Sequence, residues 1–514
     1  MCYLAFTRNE NIDKIQEVRS QVTTTVLKEQ TKAEKKVKAT YSLKILDGSL
    51  AVINNKTKEV FEYTDMKKEN LPADILNMLK ENFVFENREE VYHFLESYSA
   101  KRIIWRKQQM KYDVIIVGAG ASGMMAAITA ASHHKKVLLL ERMDKLGKKI
   151  LATGNGRCNL SNAYMDENCY RGQRPSFAYP MIEEFGLEEL IQFFESLGML
   201  ITEQNGYYYP ASLQAATVVD TLTQKLKHLH VDILTDFEVI KAEKRKSTFY
   251  VYGNEKCFQA RNLILATGGC AQPNLGSNGS GYKLAKDFHH KITDTFPSLV
   301  GLEAEGKYLK ETSGVRNVSD ISVYANNELI AKEHGEVQFT KYGISGIPIF
   351  QISHFAIEAL RRKKKVKVYL NLMPQMVTLE ETTEVFLKNC NYKTVEEFFQ
   401  GFLNKKLVYA ILQRLKIDPR KPVAQISKKD LKRILDMIQN FEVQIKGYKG
   451  YDMAQVTAGG VSTKEIIQGT LESKLLEGLY VVGELLDVDG TCGGYNLQWA
   501  FTSGYIAASQ IGRQ

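Results

Sequence analysis

The chain has 514 residues, of which 44% are hydrophobic and 25% charged, with a formal net charge of +9. This composition excludes a disordered or fibrous protein and predicts roughly two to four globular domains. Seven cysteines without a Cys-x-x-Cys pair disfavour a disulfide framework or metal site, and the absence of an apolar signal core predicts a cytoplasmic protein.

Residues 1–109 indicate a small α+β module with no recognisable chemistry. Residues 11–39 are compatible with a polar helix, and residues 50–63 with a hairpin. Asn87 with Glu90 forms the capping pair of a further helix. The module is either a fused accessory domain or the product of an over-long gene prediction. Its protein-like patterning favours a domain.

The segment MKYDVIIVGAGASG (110–123) is typical of a dinucleotide-binding turn. Val114–Val117 predicts a buried parallel strand, and Gly118, Gly120 and Gly123 follow with G-x-G-x-x-G spacing. The glycines permit a tight turn, close approach of a pyrophosphate, and packing of the next helix on the strand. The amino end of that helix then faces the phosphates.

Two following segments extend this pattern. The apolar run VLLLE ends in Glu141, whose carboxylate is expected on the ribose hydroxyls of an adenosine. Residues 145–162, KLGKKILATGNGRCNLSN, add glycines and an Arg-Cys-Asn triplet that a nicotinamide dehydrogenase does not need here. A flavoprotein does need such a segment, because FAD continues past the first βαβ unit.

The later glycine-rich segments also favour FAD. Residues 262–269 predict a strand ending in a diglycine turn, and residues 478–508 predict a strand, a turn and a helix. Glu484 is expected on the ribityl hydroxyls, and the helix amides at the flavin pyrimidine edge. The glycines at 276–281 follow no strand, so a separate NAD(P)H domain is not predicted.

The middle of the chain changes its periodicity. Residues 366–372 alternate as a half-buried strand, and the apolar residues after Pro374 recur with helical spacing. The predicted division is an FAD-binding domain at 111–300 and 452–514, a β-rich inserted domain at 301–377 and 441–451, and a helical subdomain at 378–440.

The motifs together resemble the HI0933-like flavoproteins, a family of FAD-dependent oxidoreductases also called the BaiN or YhiN family. The resemblance covers about residues 111–514 and implies an α/β fold with a Rossmann-type FAD-binding domain like those of glutathione and fumarate reductases. Tyr207 stands where the family usually has Arg. The motifs that carry the resemblance are GAGASG, GKKILATGNGRCNLSN, ATGG, PSLVGL (297–302), FTKYGISGIP (339–348), AQVTAGGVSTKEI (454–466) and DGTCGGYNLQWAFTSGY (489–505).

The motifs and the resemblance together predict the cofactor-binding residues. These are Gly118, Gly120, Ala121, Ser122, Gly123, Glu141, Arg142, Lys149, Gly154, Gly156, Arg157, Cys158, Asn159, Val239, Ala266, Thr267, Gly268, Gly269, Gly483, Glu484, Gly494, Tyr495, Asn496 and Leu497.

The catalytic residues stay open, with Cys158, Tyr207 and Tyr209 as candidates. A thiol beside a flavin can exchange electrons, but a packed or cofactor-contacting thiol is the more ordinary state of a cysteine such as Cys158. A pairing of Cys158 with Cys492 is a further alternative. The tyrosines form either an aromatic lid over an apolar substrate or simply part of a strand.

The predicted activity is flavin hydride transfer to a small molecule, and the resemblance implies an activated C=C of the enone type. NAD(P)H is expected as a transient electron donor, with a protein donor as the alternative. Nucleic-acid and membrane partners are not expected. Two other functions stay open: a tRNA-modifying flavoprotein that uses residues 378–440 to bind RNA, and a non-enzymatic flavin-binding redox sensor.

Overall fold

The computed structural model describes residues 39–68, 71, 73–94, 111–254 and 256–513. The chain separates into two compact units, residues 1–107 and 108–514, and each has its own hydrophobic core. None of the helices in the described ranges combines the length and apolar character that crossing a membrane requires.

In its described residues, the first unit contains a four-stranded antiparallel sheet and two helices. Its elements are β1 (Tyr41–Leu46), β2 (Ser49–Asn54), β3 (Val60–Lys67), α1 (Ala73–Lys80), β4 (Val84–Phe85) and α2, whose described part is 88–94. Strands β2 and β3 form the predicted hairpin. The predicted cap is also confirmed, because Asn87 Oδ1 accepts a hydrogen bond from the amide of Glu90 at 2.9 Å. Residues 11–38 of the predicted polar helix lie outside the described residues.

The second unit alternates strands and helices along most of its length. Its strands are β5 (Lys111–Val117), β6 (Val137–Leu140), β7 (Ser161–Asn162), β8 (Tyr170–Arg171), β9 (Ile201–Gln204), β10 (Tyr207–Pro210), β11 (Asp232–Leu234), β12 (Lys241–Arg245), β13 (Thr248–Gly253), β14 (Lys256–Leu265), β15 (Phe296–Ser298), β16 (Leu302–Glu305), β17 (Arg316–Ala325), β18 (Glu328–Phe339), β19 (Gly343–Ser345), β20 (Val366–Asn371), β21 (Phe441–Tyr448), β22 (Val456–Ala458), β23 (Leu479–Val481) and β24 (Asp489–Gly490). Its helices are α3 (Ala121–Ser132), α4 (Lys148–Ala152), α5 (Tyr179–Glu184), α6 (Leu187–Ser196), α7 (Ala215–His228), α8 (Ser280–Asp287), α9 (Tyr308–Thr312), α10 (Ile347–Arg361), α11 (Leu379–Asn389), α12 (Val395–Phe399), α13 (Lys405–Leu415), α14 (Lys428–Gln439) and α15 (Tyr495–Arg513).

A Rossmann-type sheet forms the base of this unit. Its strand order is β11-β6-β5-β14-β13-β12, and β23 pairs with β14. Strands β5, β6, β11, β14 and β23 run parallel, and their buried apolar residues confirm the strands predicted at the glycine turn and at residues 262–265. The carboxyl ends of β5, β6, β14 and β23 therefore meet at one edge, where ligands bind in such sheets.

The first and last helices of the unit pack together unusually closely. A Cβ built on Gly504 of α15 would lie 2.2 Å from the backbone oxygen of Ser122 in α3. The side chains of α15 also hold the turn after β23, because Ser503 Oγ accepts from the Gly483 amide at 2.9 Å and Trp499 Nε1 donates to the Gly483 carbonyl at 3.2 Å. This packing positions the residue that follows, Glu484.

The inserted part contains a closed six-stranded barrel with the order β16-β19-β18-β17-β20-β21. Strand β20 alternates buried and half-buried residues, as its sequence predicts. The amphipathic helices α11 to α14 cover the barrel, and their apolar faces share its core. Thr394, Asn404 and Ser427 cap the starts of α12, α13 and α14 through their side chains. The division into an FAD-binding domain, a β-rich domain and a helical subdomain stays a prediction.

Candidate functional site

A cavity of about 710 Å³ lies at the carboxyl edge of the Rossmann sheet. One end, called here the dinucleotide end, is lined by the turns after β5, β6 and β14 and by α4. The other, called the barrel-side end, is lined by Tyr207, Tyr209, Leu299, Ile347, Met453, Gln455, Val456 and Cys492. Its volume falls within the range of about 300 to 1,000 Å³ that is typical of ligand and cofactor sites.

The glycine turn between β5 and α3 is shaped by three different constraints. Gly118 has a φ of 103°, and a Cβ built on it would lie 2.4 Å from the Ala266 carbonyl oxygen. A Cβ on Gly123 would lie 1.8 Å from the Gly118 oxygen, whereas a Cβ on Gly120 meets nothing within 4 Å. The first and third glycines therefore allow the turn to pack, and Gly120 leaves space on the cavity side.

Helix α3 begins at this turn without a side-chain cap. Its first amides and the positive end of its dipole are thus available to an anion in the cavity. Two side chains nearby also need a partner. Among the described residues, the buried atoms Arg142 Nη1 and Asn159 Oδ1 have none, although both residues line the cavity. A bound ligand would satisfy them.

Glu141, at the end of β6, is 8% exposed and is fixed by two backbone amides. Its Oε2 accepts from Ala119 N and its Oε1 from Met143 N, each at 2.8 Å. A carboxylate has about four acceptor positions, so the same group can still accept from ribose hydroxyls.

Lys149 and Glu484 form an ion pair within the cavity lining. Lys149 Nζ lies 2.6 Å from Glu484 Oε2, and the two side chains are 22% and 18% exposed. Glu484 Oε1 also accepts from the Thr457 amide at 2.9 Å. The pair therefore joins α4, β22 and the turn after β23, which are far apart in the sequence.

Strand β10 presents alternate tyrosines to the barrel-side end. Tyr207 and Tyr209 line the cavity, whereas Tyr208 does not. The glycine turn before α15 lies against this strand, since a Cβ on Gly493 would be 3.1 Å from Tyr207 Cε1. Asn162 of the neighbouring strand β7 donates to the Gly493 carbonyl at 3.0 Å. Tyr207 and Tyr209 are thus strand residues that also border the cavity, and a lid over a substrate stays a prediction.

Helix α10 of the barrel is attached to the same glycine turn. Gln351 Oε1 accepts from the Cys492 amide at 2.8 Å, and Gln351 Nε2 donates to the Cys492 carbonyl at 3.3 Å. The Cys492 thiol lies 3.8 Å from Gln455 Oε1. One side chain of the barrel therefore fixes the backbone of a cavity-lining residue of the Rossmann part.

Burial raises the pKa values of two proton-bearing side chains at the barrel-side end, Cys492 and Tyr209. It raises the pKa of the Cys492 thiol to about 11. It also raises the pKa of Tyr209, an effect that Tyr207 reinforces and the charge of Arg157 opposes. These side chains accordingly carry their protons at neutral pH and can donate them.

The comparisons with known proteins agree with this geometry. The HI0933-like protein Rossmann domain profile matches residues 112–510. A 3-dehydro-bile acid delta(4,6)-reductase of Clostridium scindens is 40% identical over 396 residues, which are 76% of this chain and 97% of the relative. The chain belongs to the HI0933-like family.

Another similar protein is named for a reaction on ribosomal RNA. A ribosomal RNA dihydrouridine synthase of Escherichia coli is 31% identical over 402 residues, which are 78% of this chain and 98% of the relative. Among solved structures, a flavocytochrome c3 fumarate reductase in an open conformation is 14% identical, covers 81% of each chain and has a TM-score of 0.42.

The profile match and the relative from Clostridium scindens confirm the family that the motifs predict, and with it the Rossmann-type fold. The protein is an FAD-dependent oxidoreductase, so a purely sensory, non-enzymatic role is set aside. The cavity fits this cofactor, because it combines an uncapped helix, the open side of Gly120 and unpartnered polar atoms at Arg142 and Asn159.

Most predicted site residues line the cavity. They are Gly118, Gly120, Ala121, Ser122, Glu141, Arg142, Lys149, Gly154, Asn159, Val239, Ala266, Thr267, Gly268, Glu484, Gly494, Asn496 and Leu497, together with Tyr207 and Tyr209. The lining does not include Gly123, Gly156, Arg157, Cys158, Gly269, Gly483 or Tyr495.

The residues outside the lining have structural reasons for their positions. Gly269 and Gly483 allow close packing, since a Cβ on them would lie 2.5 Å from Thr457 Oγ1 and 2.7 Å from Ser122 Oγ. The Tyr495 ring is buried edge-on against Tyr170. Gly156 and Arg157 are exposed. Whether any of them contacts FAD stays a prediction.

Cys158 has the position of a packed thiol, the more ordinary of the two states that the sequence predicts for it. Its side chain is fully buried, outside the cavity lining, and burial raises its pKa to about 12. Cys158 and Cys492 are both free thiols, so the alternative of a disulfide between them is not what the structure shows. A redox-active or proton-donating thiol would need access to a ligand, and in this cavity Cys492 has it.

Six lining residues of the barrel-side end were not predicted as site residues: Leu299, Ile347, Met453, Gln455, Val456 and Cys492. All of them except Met453 lie within motifs that identify the family, so a signal existed. The motifs alone did not indicate the role, because none of these residues has reactive chemistry except Cys492.

Proposed function

We propose that the protein reduces an activated C=C of a small molecule that is conjugated to a carbonyl group. The observation that carries this proposal is the continuity of one cavity from the dinucleotide end to three side chains with acidic hydrogens: Tyr207, Tyr209 and Cys492. The name of the relative from Clostridium scindens, a delta(4,6)-reductase, supports the same reaction class.

The dinucleotide end would hold FAD through its backbone and a few side chains. The amides at the start of α3 would bind the pyrophosphate, and Glu141 would bind the ribose. Arg142 Nη1 and Asn159 Oδ1, which have no partner in the protein, would bind polar groups of the cofactor. When bound and reduced, FAD would supply a hydride to the β-carbon of the substrate.

The chain's own contribution is the proton. After hydride addition at the β-carbon, the electron pair of the C=C moves toward the carbonyl, and the α-carbon must receive a proton. Tyr209 and Cys492 hold protons beside one another in this cavity. One of them would donate its proton to the α-carbon and regain one from solvent. NAD(P)H would supply the two electrons that restore reduced FAD for the next turnover.

The test is anaerobic and separates the two half-reactions. The FAD-loaded protein is mixed with NADH or NADPH and its bleaching is followed, and the reduced protein is then mixed with a simple enone. We expect Tyr209→Phe or Cys492→Ser to slow reoxidation by about 10²-fold or more while leaving reduction by the nicotinamide unchanged. Unchanged reoxidation in both variants contradicts this assignment. A reduced protein that no enone reoxidises contradicts the function.

A second candidate acceptor is the C5=C6 bond of uridine in RNA, which is also conjugated to a carbonyl. The name of the Escherichia coli relative supports it. Residues 405–433 contain ten basic and two acidic side chains, and most of the lysines of α13 and α14 are exposed. Salt-dependent retention of ribosomal RNA, together with reoxidation of the reduced protein by RNA, would favour this candidate.

A further inference from the structure

Two large apolar side chains at the barrel-side end are unusually exposed. Ile347 is 57% exposed and Met453 is 58% exposed, although both line the cavity. Exposed apolar surface at the mouth of a cavity that continues into a cofactor site marks a place that a ligand covers. Leu299 and Val456, which are buried, extend the same apolar lining inward.

The orientation of Ile347 follows from its helix. Ile347 and Gln351 are four residues apart on α10 and therefore lie on one face. Gln351 hydrogen-bonds to the backbone of Cys492 at the cavity wall. Ile347 is therefore held on the cavity side by the same contact that fixes Cys492.

The charges of the lining are divided between the two ends. The Asp, Glu, Lys and Arg side chains of the lining are absent from the barrel-side end as defined above; they are Glu141, Arg142, Lys145, Lys148, Lys149, Glu238 and Glu484. Within the described residues, the barrel-side end has only neutral polar groups beside its apolar ones. Arg157, whose charge acts on the pKa of Tyr209, is exposed and outside the lining. A phosphate or carboxylate bound here would therefore find no cationic side chain in the lining of this end.

We infer that Ile347 and Met453 determine substrate specificity by forming an apolar seat for a neutral substrate with an extended ring skeleton. The reacting ring enters between the tyrosines and Cys492, and the hydrocarbon body behind it covers the two apolar side chains. This inference rests on the proposed function, since it names the substrate class of the same site.

The experiment uses the FAD-loaded full chain, reduced anaerobically with stoichiometric dithionite so that no nicotinamide is needed. The acceptors are cyclohex-2-enone, which is too short to cover the seat, and 4-androstene-3,17-dione, a neutral steroid enone that is long enough. A third arm contains a uridine-rich RNA stem-loop. The measurement is the concentration of each acceptor that gives half-maximal flavin reoxidation.

We expect the steroid to reach half-saturation at a concentration at least about tenfold lower than cyclohex-2-enone. Ile347→Ser and Met453→Ser should each reduce this preference about tenfold, because each removes apolar surface that only the longer molecule covers. The matched control is Val318→Ser on β17, a residue that is 50% exposed but outside the cavity lining, and it should leave the preference unchanged.

The outcomes separate this inference from the proposed function. Reoxidation by both enones without a preference, or a preference that neither seat variant alters, overturns the inference and leaves the reductase function intact. Reoxidation by the RNA alone also overturns it and supports the uridine acceptor. If no acceptor reoxidises a flavin that is bound and reduced, the proposed function itself fails.

Discussion

The two ends of the cavity are built by different means. The dinucleotide end consists of turns that directly follow parallel strands, and its shape depends on glycines at which a Cβ would collide with backbone. The barrel-side end is assembled from residues far apart in the chain, and side-chain contacts such as Gln351 to Cys492 hold it together. Changes at the dinucleotide end should therefore affect the fold and FAD binding. Changes at the barrel-side end should affect the binding and reduction of the acceptor.

The largest effect is expected at the glycine turn. Gly123→Ala places a methyl group 1.8 Å from the Gly118 carbonyl oxygen, so strand β5 and helix α3 must separate. We expect a loss of more than about 3 kcal/mol in the free energy of unfolding and no retained FAD, measured by thermal denaturation and visible absorbance.

Gly120→Ala is the matched control for this variant. Its methyl group meets no protein atom within 4 Å, so the fold should persist while the new group occupies space needed by the pyrophosphate. A Gly120→Ala protein that melts as low as Gly123→Ala would contradict the distinction between packing and cofactor glycines.

A smaller effect is expected at the Lys149–Glu484 pair. Lys149→Met leaves Glu484 largely desolvated without its cation, and this should cost about 3 kcal/mol of stability and weaken FAD retention. Lys149→Met combined with Glu484→Gln should be milder than the sum of the single changes, because the uncompensated charge is gone. Additive losses in denaturant titrations would show that the two side chains act independently.

A contrasting effect is expected for Gln351→Ala, which removes both hydrogen bonds to the Cys492 backbone. We expect about 1 to 2 kcal/mol of weaker acceptor binding with normal FAD retention, because the cavity wall loosens only at the barrel-side end. Gln351→Glu, which can accept from the amide but cannot donate to the carbonyl, should lie between wild type and Gln351→Ala. Loss of FAD in either variant would contradict the claim that changes at the barrel-side end leave FAD binding unaffected.

The smallest effect concerns the chemistry of the two thiols. Burial raises the pKa of Cys492 to about 11 and that of Cys158 to about 12, and the thiolate is the form that reacts. Alkylation of Cys492 at about pH 8 should be slow, since only roughly one thiol in a thousand is ionised, and should rise about tenfold per pH unit until the pH approaches the pKa. Peptide mapping should find Cys158 unmodified in the folded protein. Modification of Cys158 before Cys492 would show that their assigned positions are wrong.

The sequence by itself determined the dinucleotide end. The strand at Val114–Val117, the glycine spacing and Glu141 are local features, and a parallel strand followed by a helix has essentially one way to present them. The alternation of residues 366–372 and the apolar periodicity of α12 to α14 likewise predicted a strand and helices that the structure contains. Motif order was sufficient to identify the family.

Only the tertiary structure decided the barrel-side end. No spacing in the sequence shows that Ile347, Met453 and Cys492 share one cavity, or that Gln351 fixes Cys492 across 141 positions of the chain. It also placed Cys492, and not Cys158, in the cavity lining and paired Lys149 with Glu484. The physical reason is that long-range contacts depend on how the barrel closes against the Rossmann sheet, which local propensity and periodicity do not encode.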